Sequence, residues 1–110
     1  MKFSDKSLIA VHLSERVKRQ RVTGTNLECI IYTYKPGARF AVHQHEAEQL
    51  TIVLSGKLVF TFEDEDVHLA EGEALLIQSN KLHGAFVPRQ ASTTKTYNIF
   101  SPVRTDLPDA

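Results

Sequence analysis

Apolar and polar residues alternate with a period of two along most of this chain, and no segment sustains the period of 3.6 that marks an amphipathic helix. Leu58, Phe60 and Phe62 alternate with Lys57, Val59, Thr61 and Glu63. The acidic stretch Glu63-Asp64-Glu65-Asp66 reads as a turn leading into Val67-His68-Leu69. Further extended runs are Leu27–Tyr34, Arg39–His45, Gln49–Leu54, Ala74–Ile77, His83–Val87 and Thr96–Phe100. Pro36-Gly37, Ser55-Gly56, Glu71-Gly72 and Pro88 punctuate them. Many short strands at near-regular spacing predict an all-β barrel or sandwich.

The run Gln49–Leu54 carries more than a strand signal. Gln49, Thr51 and Val53 share one face, while Leu50, Ile52 and Leu54 share the other. The mixed face is too polar for a plain core, so it is expected to line a functional cavity. The aliphatic face is expected to meet another sheet or a second subunit. A homodimer is the expectation that follows.

Composition narrows the class. The chain has 110 residues, with 13 Lys+Arg against 13 Asp+Glu, one cysteine and five histidines. That length predicts a single domain over residues 1–110, with its core at about 27–100. Zero formal net charge argues against a dedicated nucleic-acid binder. A lone Cys29 forms no internal disulfide, which fits a reducing compartment. The stretch Leu8–Leu13 is too short for a membrane span or signal h-region and contains His12, so the chain reads as soluble, untargeted and cytoplasmic. The basic run Arg16–Arg21 lacks interleaved aromatics and reads as a solvated strand or loop face.

His43-Gln44-His45 is the central chemical feature, because residues two apart on a strand point to one face and can reach one metal ion. Five residues separate Gly37 from His43, three separate His45 from Gln49, and six separate Gln49 from Gly56. A second block places Gly72, Gln78, Asn80, His83 and Val87 with five, one, two and three residues between them. These spacings resemble the two motifs of the cupin superfamily. The first has the form G-x5-H-x-H-x3-E-x6-G and the second G-x5-P-x-G-x2-H-x3-N. Here Gln49 stands where the family most often has glutamate, Gln78 replaces proline, Asn80 replaces glycine and Val87 replaces asparagine.

The resemblance implies a single-domain cupin barrel, that is, a double-stranded β-helix or jelly roll. It also implies a metal held by His43, His45, Gln49 and His83. Three imidazoles and an amide oxygen form a neutral set, so a divalent transition metal (Fe, Mn, Ni, Co or Zn) would keep its full charge and attract an anionic ligand. Glu46 and Glu48 have the wrong strand parity to join it, and His12 and His68 read as ordinary surface residues.

If the strand stays regular, parity puts Arg39, four residues before His43, on the same face, where its fork could hold a carboxylate; a solvated arginine at the strand's mouth is the alternative. The tail Asn98-Ile99-Phe100-Ser101-Pro102-Val103-Arg104-Thr105-Asp106 resembles that of small cupins acting on unsaturated uronic acids from pectin or alginate breakdown. That likeness implies substrate contacts from Phe100 and Arg104, with Arg104 and Asn98 in the catalytic apparatus. An aspartate usual two residues before the phenylalanine is Asn98 here, and a neutral amide cannot exchange a proton near neutral pH. Asn98 is therefore expected to orient a substrate hydroxyl or a metal-bound water. The resulting expectation is a metal-dependent isomerase or lyase on a small anionic, sugar-acid-like molecule, with no nucleic-acid or membrane partner. A metal-dependent dioxygenase and a non-enzymatic small-molecule-binding domain are the alternatives.

Overall fold

The computed structural model describes residues 1–107 and is all-β, with no helix among the described residues. Its strands are β1 (Val11–Ser14), β2 (Val17–Thr23), β3 (Glu28–Tyr34), β4 (Arg39–His43), β5 (Glu48–Ser55), β6 (Lys57–Thr61), β7 (Asp66–Ala70), β8 (Ala74–Ile77), β9 (His83–Phe86) and β10 (Thr94–Ser101). A six-stranded sheet runs β1-β2-β3-β10-β5-β8 and a four-stranded sheet runs β4-β9-β6-β7. All pairings are antiparallel, and the sheets close face to face as a jelly roll. Among the described residues no helix is long and apolar enough to cross a membrane.

The two-residue alternation decides what faces inward. On the large sheet Ile30, Tyr32, Tyr34, Val53, Ile77 and Phe100 are buried, and on the small sheet Leu58, Phe60, Leu69 and Ala85 meet them. Each run expected to be extended forms a strand, and β5 turns its mixed face inward: Gln49, Thr51 and Val53 are buried, while Leu50, Ile52 and Leu54 are half-buried.

The basic run departs from its expected solvation. Arg16 is exposed, but Val17–Arg21 lie in β2, which pairs with β3 along its whole length, and Arg19 and Gln20 are buried. Arg19 hydrogen-bonds the Tyr32 hydroxyl. Arg21 pairs with the fully buried carboxylate of Glu28, whose Oε2 also accepts from Thr23 at 2.6 Å. Buried partners of opposite charge and a ring hydroxyl thus allow arginines where charge density alone suggested water.

Candidate metal centre and ligand cavity

A β-bulge sets the first ligand. Arg39 pairs with Phe86 and Phe40 with Ala85, but the register shifts before His43 meets His83. The extra residue reverses side-chain parity along β4. Phe40 and His43 therefore line the cavity, whereas Arg39 lies exposed on the outside with its guanidinium 5.5 Å from the Phe86 ring. The expectation that Arg39 enters the cavity is corrected on this ground.

His83 stands opposite His43 across the β4–β9 pair, and His45 follows β4 directly. Ring centroids are 4.6 Å apart for His43–His83, 5.0 Å for His45–His83 and 5.4 Å for His43–His45. One nitrogen from each ring falls within 4.8 Å of the others. The loop after β8 is fastened to this group, since the Asn80 amide donates to the His45 carbonyl at 2.8 Å. Asn80 adopts φ 62°, the left-handed conformation for which the family motif uses glycine and which asparagine tolerates.

Main-chain carbonyls fix the tautomers. Nδ1 of His43 lies 3.0 Å from the Ala41 carbonyl, Nδ1 of His45 2.7 Å from that of Ala47, and Nδ1 of His83 2.7 Å from that of Lys81. A carbonyl only accepts, so each Nδ1 carries the hydrogen and each Nε2 presents a lone pair. Burial pushes the His83 imidazole down to about 4, and the nearby His43, His45 and Arg104 act in the same direction. Burial, followed by Arg104, lowers His45 as well. His83 Nε2 is buried without a hydrogen-bond partner, and Gln49 Oε1 lies 3.0 Å from His45 Nε2. Buried lone pairs facing one another are costly unless something positive lies between them. The donor set thus fits a divalent transition metal, with three imidazole nitrogens and one amide oxygen as the available ligands.

Above these residues opens a cavity of about 210 Å³ lined largely by aromatics, among them Tyr32, Tyr34, Phe40, Phe60 and Phe100. Phe100 sits edge-on to His45 at 5.5 Å and carries the Arg104 guanidinium 5.0 Å above its ring. Asn98 and Arg104 also line the cavity. The structure thus brings together His43, His45, Gln49, His83, Asn98, Phe100 and Arg104, and leaves Arg39 out.

One partner was not foreseen. Asp106 forks Arg104, with Nε donating to Oδ1 at 2.9 Å and Nη2 to Oδ2. This contact drops the Asp106 carboxyl to about 2. Its only sequence signal was a carboxylate two residues from an arginine, which is common and uninformative. His12, His68, Glu46 and Glu48 are exposed, as their positions suggested.

The Cupin domain family matches residues 30–100 of the chain. No curated protein matches it in sequence. Among solved structures, KdgF from Halomonas sp. superposes with TM-score 0.84 at 24% identity, covering 94% of this chain and 96% of that one. A RmlC-like cupin from Shewanella frigidimarina gives TM-score 0.84 at 22% identity, covering 94% and 92%. The polyketide cyclase RemF from Streptomyces resistomycificus gives 0.80 at 16% identity, covering 94% and 80%. At these identities the likenesses establish the shared fold.

Proposed function

This chain belongs to the cupin family, and on that premise we propose that it is a metal-dependent enzyme acting on a small anionic, sugar-acid-like substrate by isomerase- or lyase-type chemistry. The observation that carries the reading is the unpartnered His83 Nε2 beside the close His45 Nε2–Gln49 Oε1 contact, where lone pairs face one another beneath a cavity that also holds a buried arginine. His43, His45, His83 and Gln49 would hold a divalent transition metal. When bound, the metal supplies Lewis-acid polarisation of a substrate oxygen. Arg104 would bind the substrate carboxylate, for which its planar fork is shaped. Phe100 would carry the sugar ring, its face already packed beneath Arg104. Tyr32, Tyr34, Phe40 and Phe60 keep bulk water out of the reacting volume and so strengthen each charge interaction within it. The tail shared in pattern with unsaturated-uronate cupins, from Asn98 to Arg104, favours an unsaturated uronate over other carboxylates of that size.

Metal content of freshly purified protein, followed by turnover of unsaturated uronates with and without chelator, tests the reading. We expect one divalent ion per cavity, turnover that chelator abolishes, and loss of both in His83→Ala. Protein that takes up no metal, or His83→Ala with unchanged binding and turnover, would falsify the proposal.

A further inference from the structure

Asn98 faces the cavity, yet its polar atoms are all engaged by the protein. Its Nδ2 donates to the Ile30 carbonyl at 3.1 Å and to Thr96 Oγ1 at 2.8 Å. Its Oδ1 accepts from the Thr51 hydroxyl at 2.7 Å. Thr51 Oγ1 in turn accepts from Gln49 Nε2 at 2.8 Å. Both amide hydrogens of Asn98 are therefore used, and neither is left for a substrate hydroxyl. Sheet register builds this line, since Asn98 stands opposite Ile30 on one side and opposite Thr51 on the other. Asn98, Thr51 and Gln49 are each buried.

The direction of each bond follows from the last member. A main-chain carbonyl can only accept, so Asn98 must turn its nitrogen toward Ile30 and its oxygen toward Thr51. Thr51 must then donate to Asn98, which leaves its lone pair for the nitrogen of Gln49. Gln49 has no remaining choice: its oxygen faces His45 Nε2 at 3.0 Å. An unconstrained glutamine would turn over there, because its Nε2–H would make a hydrogen bond to the imidazole where Oε1 meets a second lone pair. The turned-over amide presents hydrogens to the metal position and cannot ligate.

We propose that Asn98 and Thr51 form a relay from the Ile30 carbonyl that locks the Gln49 amide with its oxygen toward the metal, making Asn98 a positioning residue. Its amide hydrogens are thereby spent, and of its expected role only the second lone pair of Oδ1 is left to meet a substrate hydroxyl or metal-bound water. Glutamate at position 49 would need no such device, because its two oxygens are alike. The relay is thus the counterpart of having a neutral amide as fourth ligand. The inference rests on the metal reading above.

Competition titrations of Co²⁺ against a chelator, on folded protein, test the relay through affinity rather than turnover. Thr51→Val keeps the side chain's shape and removes the hydroxyl. We expect it to weaken Co²⁺ binding ~10–100-fold, the usual cost of losing a group that orients a metal ligand. Thr51→Ser should restore affinity. The visible spectrum of the Co²⁺ protein should change in Thr51→Val, as loss of an oxygen ligand requires, and revert in Thr51→Ser. In a Gln49→Glu background the Thr51→Val effect should shrink to within about twofold, the scatter of independent sites. Asn98→Ala removes the same anchor from the other end and makes the comparison if Thr51→Val does not fold. Wild-type affinity and spectrum in the relay variants would overturn the relay alone. So would an equal loss in the Gln49→Glu background, which marks a merely structural role. Wild-type protein that binds no Co²⁺ would overturn the relay together with the metal reading.

Discussion

Arg104 is 8% exposed and carries a full charge, so its partners decide what the cavity admits. The ring of Phe100 below it and the carboxylate of Asp106 beside it together make the burial tolerable. Asp106 occupies the geometry that a bound substrate carboxylate would take, with both oxygens on one edge of the guanidinium. Its own side chain is 51% exposed, so swinging into water costs it little. The tail's carboxylate and an incoming one therefore compete for the same fork. Replacing Asp106 with Ala should tighten the binding of small carboxylates several-fold, on the order of the ~1 kcal/mol that a half-exposed ion pair contributes. With its pKa lowered from 3.8 to about 2, Asp106 stays ionised as pH falls toward its unfolded value, and the competition fades only below that. The gain in Asp106→Ala should accordingly be constant across roughly pH 5–8. Calorimetric titration with a simple hydroxycarboxylate checks it, and equal affinity of the two proteins would show that Asp106 and the ligand occupy different places.

Strands were legible in the sequence because burial of one face writes a two-residue period into it, and the large sheet keeps that period wherever pairing is regular. Where pairing is irregular, parity misleads. The bulge between Phe40 and His43 leaves no mark in composition, yet it moves Arg39 from the cavity to solvent while the histidine spacing still delivers His43 inward. The burial of β2 escaped for another reason: the partners that make Arg19 and Arg21 acceptable inside, Tyr32 and Glu28, lie on the next strand and cannot be paired to them from one chain read in order. The His43-Gln44-His45 pair was readable from its local spacing, whereas His83 was readable only through the motif resemblance and is brought to the pair by the β4–β9 register. The Asn98–Thr51 contact spans 47 positions and depends on register, so nothing local announces it. The glycine that closes the first motif has a firm local reason. Gly56 links β5 to β6 at φ 85°, and a Cβ there would lie 2.7 Å from the Cα of Thr94 and 2.2 Å from its Oγ1. That threonine also bonds both the amide and the carbonyl of Lys57, so it has little room to yield. Gly56→Ala should destabilise the protein by about 3 kcal/mol or more, combining overpacking with strain at positive φ. Denaturant melts would show it, and a loss under about 1 kcal/mol, the cost of the αL conformation without a clash, would mean that the hairpin relaxes around the new methyl.

At the scale of the whole molecule the two faces of the large sheet have divided the work of β5. Its inner face builds the cavity, and its outer face contributes to an apolar row that crosses five strands: Leu76, Leu50, Ile99, Cys29 and Val22 stand side by side through successive pairings. The N-terminal segment shields the adjoining row, since Gln20 donates to the Asp5 and Leu8 carbonyls and Asp5 pairs with Lys95. It leaves Leu76 56% exposed at the edge of the apolar row. A neutral chain has no large net charge to keep two copies apart, and a sheet face of this kind can supply the ~800 Å² per partner that a stable interface needs. We therefore predict a homodimer formed through this face, in which two cavities open away from the contact. Sedimentation at micromolar protein concentration should give the dimer mass, and Leu76→Glu should give the monomer with its metal affinity intact. Glutamate at a position already in water costs the isolated barrel almost nothing, so the substitution separates assembly from folding. A wild-type monomer would remove the interface, and it would leave the half-buried leucines of β5 as ordinary surface on a barrel that functions alone.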